Sequence, residues 1–66
     1  MKEADIKRLE RAADMLNKAS DLMDTIMEKE DMMASDTYYL RKCVNQYAYD
    51  ANTLRRIVKV AREDKG

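Results

Sequence analysis

The stretch IKRLERAADMLNKASDLMDTIM, residues 6–27, decides the fold of this chain. Apolar and small residues recur along it at alternating steps of three and four, which is the spacing of a helix that packs lengthwise against another helix. The members of this packing edge are Ile6, Leu9, Ala13, Leu16, Ser20, Met23 and Met27. The stretch therefore predicts a long α-helix with one continuous edge for a partner helix.

A second run of similar spacing lies nearer the carboxyl terminus. Its members are Leu40, Val44, Tyr47, Ala51, Leu54, Val58 and Ala61. When the chain folds back at residues 33–34, the two runs pair as mirror images, and the residue numbers of every pair add to 67, as for Leu16 with Ala51. Most pairs set a larger residue against a smaller one, which fills space at interior density. Ser20 and Tyr47 form the one polar pair, and we expect their hydroxyl groups to fix the register.

The composition favours an all-α fold class, with the runs forming an antiparallel two-helix hairpin. Pro is absent and the only Gly is residue 66, so no residue type interrupts a helix. We predict helix 1 at about residues 3–30, the turn at about 31–36 and helix 2 at about 37–62, in a single domain. Ser35 or Asp36 is the expected N-cap of helix 2, because either side chain accepts hydrogen bonds from exposed amides.

Cysteine usage and hydropathy bear on the compartment. Cys43 is the only cysteine, so no intramolecular disulfide forms, and we interpret it as a small residue flanking the packing edge. No apolar run approaches the ~20 residues of a membrane span, and the first residues do not have the pattern of a signal peptide. We therefore expect a cytoplasmic protein that does not bind membranes.

Helix 1 has more apolar surface than one partner helix covers. A second line runs beside its packing edge, formed by Ala12, Met15, Ala19, Leu22 and Ile26. Together the two lines make an apolar arc of roughly 160°, wider than the stripe that a single neighbour buries. A lone hairpin also has too small a core to offset the conformational entropy of a chain this short. This second line, the helix 1 line, is therefore the predicted interface between copies of the chain.

The charges suggest how two copies meet. Basic residues gather at the open end of the predicted hairpin, namely Lys7, Arg8, Arg11, Arg55, Arg56, Lys59 and Arg62. Acidic residues gather at the turn end, namely Asp21, Asp24, Glu28, Glu30, Asp31 and Asp36. Opposite ends attract when two hairpins lie antiparallel. We therefore predict a homodimer that forms an antiparallel four-helix bundle.

The sequence has few of the groups that enzymes use. It has no His, and one Cys does not make a zinc site or a nucleophile–imidazole pair. No glycine-rich loop is present to cradle a phosphate. The face with Asp21, Asp24 and Glu28 is interpreted as a solvated acidic surface rather than a cation site. We expect no enzymatic activity, no cofactor and no metal.

The outward side of helix 2 carries the clearest candidate binding site. A line free of acidic residues recurs there at steps of four and three: Tyr38, Lys42, Asn45, Tyr49, Asn52, Arg56 and Lys59. Tyrosines of this kind anchor protein partners, whereas basic, amide and aromatic groups together also suit RNA, single-stranded nucleic acid or a nucleotide. A third interpretation is a solvated face with no ligand.

These patterns predict a small oligomeric helical binding protein, a regulator or inhibitor that docks on a larger protein. The alternative is a bundle that binds RNA or sequesters a nucleotide through the same side of helix 2. A purely structural assembly subunit is the third class, and it would use only the helix 1 line.

Overall fold

The computed structural model describes residues 1–63 and shows an all-helical hairpin. Helix α1 spans Glu3–Lys29 and helix α2 spans Ala34–Glu63. The two helices pack against each other along an elongated molecule of 51 × 14 × 12 Å. The predicted all-α hairpin is therefore confirmed.

The register of the hairpin follows the mirror pairing of the sequence. Ser20 contacts Val44, a pair whose numbers add to 64, and Asp14 contacts Arg55, a pair that adds to 69. These sums bracket the predicted 67. The contacts run in opposite order along the two helices, so the helices are antiparallel.

The core is narrow and built largely from small residues. Ile6, Ala13 and Ser20 of α1 and Ala51 and Val58 of α2 are its buried members. Small side chains on the facing edges let two helices approach closely. Ile6 is the largest fully buried residue and fills the open end of the seam.

One polar contact lies inside this seam. Ser20 is 7% exposed, and its hydroxyl donates a hydrogen bond to the backbone carbonyl of Val44 at 3.2 Å. The predicted hydroxyl pair between Ser20 and Tyr47 is therefore wrong. The reason is the close approach of the helices, which brings the α2 backbone within reach of a short side chain.

The connection between the helices is shorter than predicted. Helix α1 ends at Lys29, after which the Glu30 backbone is extended and its amide donates to the Ile26 carbonyl at 3.0 Å. Helix α2 begins at Ala34, three residues before the expected start. Ala is the best helix former, and it extends the helix toward the turn.

The predicted N-cap of α2 is wrong. Ser35 and Asp36 lie inside the first turn of the helix rather than before it. Met33 occupies the position before the helix, and its carbonyl accepts the first hydrogen bond from the Thr37 amide at 3.0 Å. Asp36 still acts favourably there, because a carboxylate in the first turn complements the helix dipole.

The hairpin exposes more surface than a compact protein of its size. Its accessible area is 5357 Å². A compact folded monomer of the same mass exposes about 4,300 Å², so the excess is roughly 1,000 Å². This excess reflects the single seam: each helix buries one edge and leaves the rest of its surface exposed.

Candidate interaction surfaces

One long side of the hairpin is held by ion pairs between the helices. Arg62 of α2 donates to Glu10 at 2.8 Å and to Glu3 at 3.1 Å. Arg55 donates to Asp14 at 3.0 Å, and the Asn17 amide oxygen accepts from the same guanidinium at 2.6 and 2.7 Å in the orientation that its surroundings require. We call this side the charged face.

These contacts have an electrostatic consequence for Arg62. Its hydrogen bonds to Glu10 and then to Glu3 raise the pKa of the guanidinium above its usual value, because they favour the charged form. All these pairs are solvent-exposed, so each contributes little stability by itself. Their larger effect is to orient the two helices, since the acidic groups come from α1 and the basic groups from α2.

The open end is therefore less basic than the sequence suggests. Arg55 and Arg62 are paired across the helices, and Arg8 pairs with Asp5 at 2.8 Å on α1. A separation of charge along the hairpin nevertheless persists. Residues 1–18 and 49–63 hold nine basic and six acidic side chains, a net +3, and residues 19–48 hold three basic and six acidic ones, a net −3.

The opposite long side of the hairpin is apolar. The ion pairs lie along one side of the seam between α1 and α2. Residues on the other side of the seam, three or four positions away along each helix, therefore lie together on the opposite side of the hairpin. The large exposed apolar residues of that side, the apolar face, are Met15, Leu22 and Ile26 of α1 and Tyr39, Tyr47 and Ile57 of α2. Met15 is 61% and Leu22 69% exposed, so α2 does not cover the helix 1 line.

Only the α1 half of this face is predictable from the sequence. Ala12 and Ala19, the small members of the helix 1 line, are half-buried. The α2 half is not predictable, because Gln46 and Asp50 interrupt its apolar residues in the sequence. In the structure these two side chains satisfy each other, since the Gln46 amide donates to the Asp50 carboxylate at 2.9 Å.

The third surface is the helix 2 outer face predicted from the sequence. All seven of its members are exposed: Tyr38, Lys42, Asn45, Tyr49, Asn52, Arg56 and Lys59. They follow the outward side of a single helix, except that Lys59 also lines a cleft with Glu10 and Asp14 of α1. The structure therefore brings the predicted residues onto a common surface, and the seam buries none of them.

Aromatic and basic groups interact at the turn end of the helix 2 outer face. The Lys42 ammonium lies 5.1 Å from the centroid of the Tyr38 ring, within the range of a cation–π contact. The Tyr38 and Tyr39 rings meet edge to face, with centroids 5.4 Å apart. These contacts restrict the rotation of the tyrosine rings, so less conformational entropy is lost when a ligand binds to them.

A shallow depression lies farther along the same helix. Tyr49, Asn52, Thr53 and Arg56 line it, so an aromatic ring, an amide, a hydroxyl and a guanidinium converge there. The Thr53 hydroxyl donates to the Tyr49 carbonyl at 3.0 Å, and its oxygen still faces outward with accepting capacity. The depression is open rather than enclosed, which suits a group presented by a larger ligand.

The remaining chemistry-bearing residues are sparse. Cys43 is exposed as a free thiol. Within residues 1–63, no three His, Cys, Asp or Glu side chains are arranged to hold a metal ion. Neither helix carries a stretch, among those same residues, that is long and apolar enough to cross a bilayer.

No protein-family model, no curated protein and no solved structure matches this chain.

Proposed function

We propose that this protein is a non-enzymatic helical binding module whose helix 2 outer face docks on an acidic surface of a larger protein. The observation that carries the proposal is the complete exposure of that face together with its lack of any acidic residue. The hairpin does not need these residues for its own packing. A docking module of this kind would act as a regulator or inhibitor of the larger protein.

The chemistry of the face favours a protein over other partners. Tyr38 and Tyr49 are 58% and 68% exposed and supply large, rigid contact area with few rotatable bonds. Lys42, Arg56 and Lys59 surround them with positive charge, which complements carboxylates and speeds encounter. Aromatic anchors with a charged rim are typical of interface hot spots.

We further propose that the hairpin functions as a homodimer in which two copies form a four-helix bundle. The helix 1 line, Ala12, Met15, Ala19, Leu22 and Ile26, is the α1 part of that interface. Support comes from the exposure of its large members and from the roughly 1,000 Å² of surface beyond that of a compact monomer. A protein of this size gains the missing burial most simply from a second copy of itself.

Affinity capture from an extract of the source cells tests the docking proposal. Tyr49→Ala and Lys42→Ala variants are compared with wild type and with Thr25→Ala, a control on the exposed side of α1. We expect a protein that wild type and Thr25→Ala retain and that Tyr49→Ala loses, whereas Lys42→Ala and high salt should weaken its capture without abolishing it. If both outer-face variants retain the same proteins as wild type, the docking proposal is wrong.

A nucleic acid or nucleotide is the second candidate ligand, and the depression at Tyr49, Asn52, Thr53 and Arg56 favours it. The ring offers stacking, the amide reads a base edge, and the guanidinium binds phosphate. Fluorescence titration with a single-stranded oligonucleotide tests it. Binding that weakens steeply with salt and with Arg56→Ala supports this candidate, and a nuclease-sensitive capture would also favour it over the protein partner.

A third candidate function is that of a purely structural assembly subunit, which binds neither a protein partner nor a nucleic acid through the helix 2 outer face. In that case Leu22→Glu or Met15→Glu abolishes assembly, whereas Tyr49→Ala changes neither assembly nor binding of any ligand.

A further inference from the structure

The apolar face and the charge separation of the hairpin together restrict how a second copy can bind. We propose that the second copy lies on the apolar face in antiparallel orientation, with α2 beside the α2 of the other copy, so that the two helix 2 outer faces form one continuous docking surface. The proposal deepens the proposed function, and it rests on the helix 2 outer face being a binding site. It identifies that site as a property of the dimer rather than of one chain.

The hairpin as a whole leaves enough surface exposed for one more hairpin to bind. The chain exposes roughly 1,000 Å² beyond a compact monomer, and a standard stable interface buries about 800 Å² per partner. Both helices contribute to the face, through Leu22 and Met15 on α1 and through Tyr39 and Ile57 on α2. The charged face is unsuited to this role, because its Arg55 and Arg62 are already paired within the chain.

Charge selects the direction of the second copy. The open half of the hairpin, residues 1–18 and 49–63, carries a net +3, and the turn half, residues 19–48, carries a net −3. In a parallel pair, like halves lie together and repel. In an antiparallel pair, each positive half lies on a negative half, which is the arrangement that electrostatic complementarity favours.

Geometry then fixes which helices meet. Two hairpins that join through the same face, with their long axes reversed, are related by a two-fold axis that runs across the hairpin in the plane of the interface. This operation places α1 on α1 and α2 on α2. The parallel alternative has its two-fold axis along the bundle, places α1 on α2, and sends the two outer faces to opposite sides.

The antiparallel pair therefore assembles a wider binding surface. When the two-fold axis is placed at the boundary between the two charged halves, it crosses α1 between residues 18 and 19 and α2 between residues 48 and 49. Lys42 lies on one side of that boundary and Arg56 at nearly the same distance on the other. Lys42 of one copy thus lies level with Arg56 of the other, within about 2 Å along the axis. Each end of the joined surface takes basic groups from both chains.

Disulfide trapping separates the two arrangements. In a Cys43→Ser background, Ala19→Cys places one thiol per chain within about 2 Å of the two-fold axis along the helix, which suits a disulfide between copies of α1. The native Cys43 thiols of an antiparallel pair are instead about 16 Å apart along the axis, too far to be bridged. Thr25→Cys in the same background is the control, since it lies outside the apolar face.

The expected result is a covalent dimer from the Ala19→Cys variant under mild oxidation, and none from the wild type or the Thr25→Cys variant. Absence of linkage at position 19, or efficient linkage through native Cys43, would overturn the antiparallel arrangement. Either result would leave the docking proposal intact, because that proposal is tested by partner capture.

Sedimentation equilibrium and partner capture complete the test. Leu22→Glu should be monomeric and still helical, because Leu22 is 69% exposed in the hairpin, and it should lose the captured partner although its outer-face residues are unchanged. Thr25→Glu adds the same charge outside the apolar face and should remain dimeric and retain the partner. A wild-type protein that is monomeric at micromolar concentration, or a Leu22→Glu monomer that binds the partner as tightly as wild type, would refute the joined surface.

Discussion

The Ser20 hydroxyl donates a hydrogen bond to the Val44 carbonyl at 3.2 Å, across the point where α1 and α2 approach closely. This contact sets two requirements for the residue at position 20. A small side chain is required because the α2 backbone lies directly opposite. A donor is tolerated because the carbonyl oxygen has a second lone pair beyond its helical hydrogen bond.

Substitutions at Ser20 should separate the effect of size from the effect of polarity. Ser20→Ala removes the hydrogen bond but improves helix propensity, so the free energy of unfolding should change by about 1 kcal/mol or less. Ser20→Leu forces extra methylene groups against the α2 backbone and should cost about 1–3 kcal/mol. Urea unfolding followed by circular dichroism measures both. Equal stability of Ser20→Leu and wild type would mean that the helices do not approach closely here.

Ile6 should be the most sensitive apolar position of the seam. It is 1% exposed and the largest fully buried residue, so Ile6→Ala removes transfer free energy and leaves a cavity, with a cost of about 2–5 kcal/mol. Val60→Ala is the matched control, because Val60 is 58% exposed in the hairpin. Thermal unfolding should show a large loss for the first variant and almost none for the second. Similar losses for both would indicate that the open end of the seam frays.

Most of the fold could be predicted from the sequence, because the period of apolar residues reports which edge of each helix is buried. The two runs of alternating spacing gave the hairpin and its register. The burial of Ile6, Ala13, Ala51 and Val58 follows directly from their places in those runs. The helix 2 outer face was also predictable, since residues opposite a buried edge must be exposed.

Other features depend on geometry that spacing does not encode. The Ser20–Val44 contact involves a backbone atom, and a side-chain pattern carries no information about it. The first residue of α2 depends on whether Ala34 joins the helix or Ser35 or Asp36 caps it. The identity of one residue does not decide between these outcomes. The ion pairs of the charged face do not follow from residue spacing, because they depend on which acidic residues of α1 lie opposite the arginines of α2.

The Arg62 ion pairs should guide alignment of the helices and respond to salt rather than to pH. Their effect raises the pKa of Arg62, so the stabilisation is present at neutral pH and is lost only in strong alkali, as the pH rises through that raised value. We expect Arg62→Glu to lower the midpoint temperature more than Arg11→Glu, an equal charge change on the exposed side of α1. Adding Glu10→Arg to Arg62→Glu should restore part of the lost midpoint temperature. In 0.5 M salt the midpoint temperatures of the variants and the wild type should lie closer together. Calorimetry at two salt concentrations measures this, and equal losses for the two single variants would contradict it.

The start of α2 offers a stabilising substitution. Met33 precedes the helix, is 72% exposed, and has no side-chain oxygen to accept from the free amides of the first turn. Met33→Asp supplies that acceptor and a negative charge at the positive end of the helix dipole, and should raise the free energy of unfolding by about 1 kcal/mol. Met33→Ala is the control, because it removes the same thioether without adding an acceptor and should leave stability nearly unchanged. Chemical unfolding of the three proteins at equal concentration measures the difference. If both variants are destabilised alike, the Met33 side chain makes a contact in the assembled protein that the single hairpin does not contain.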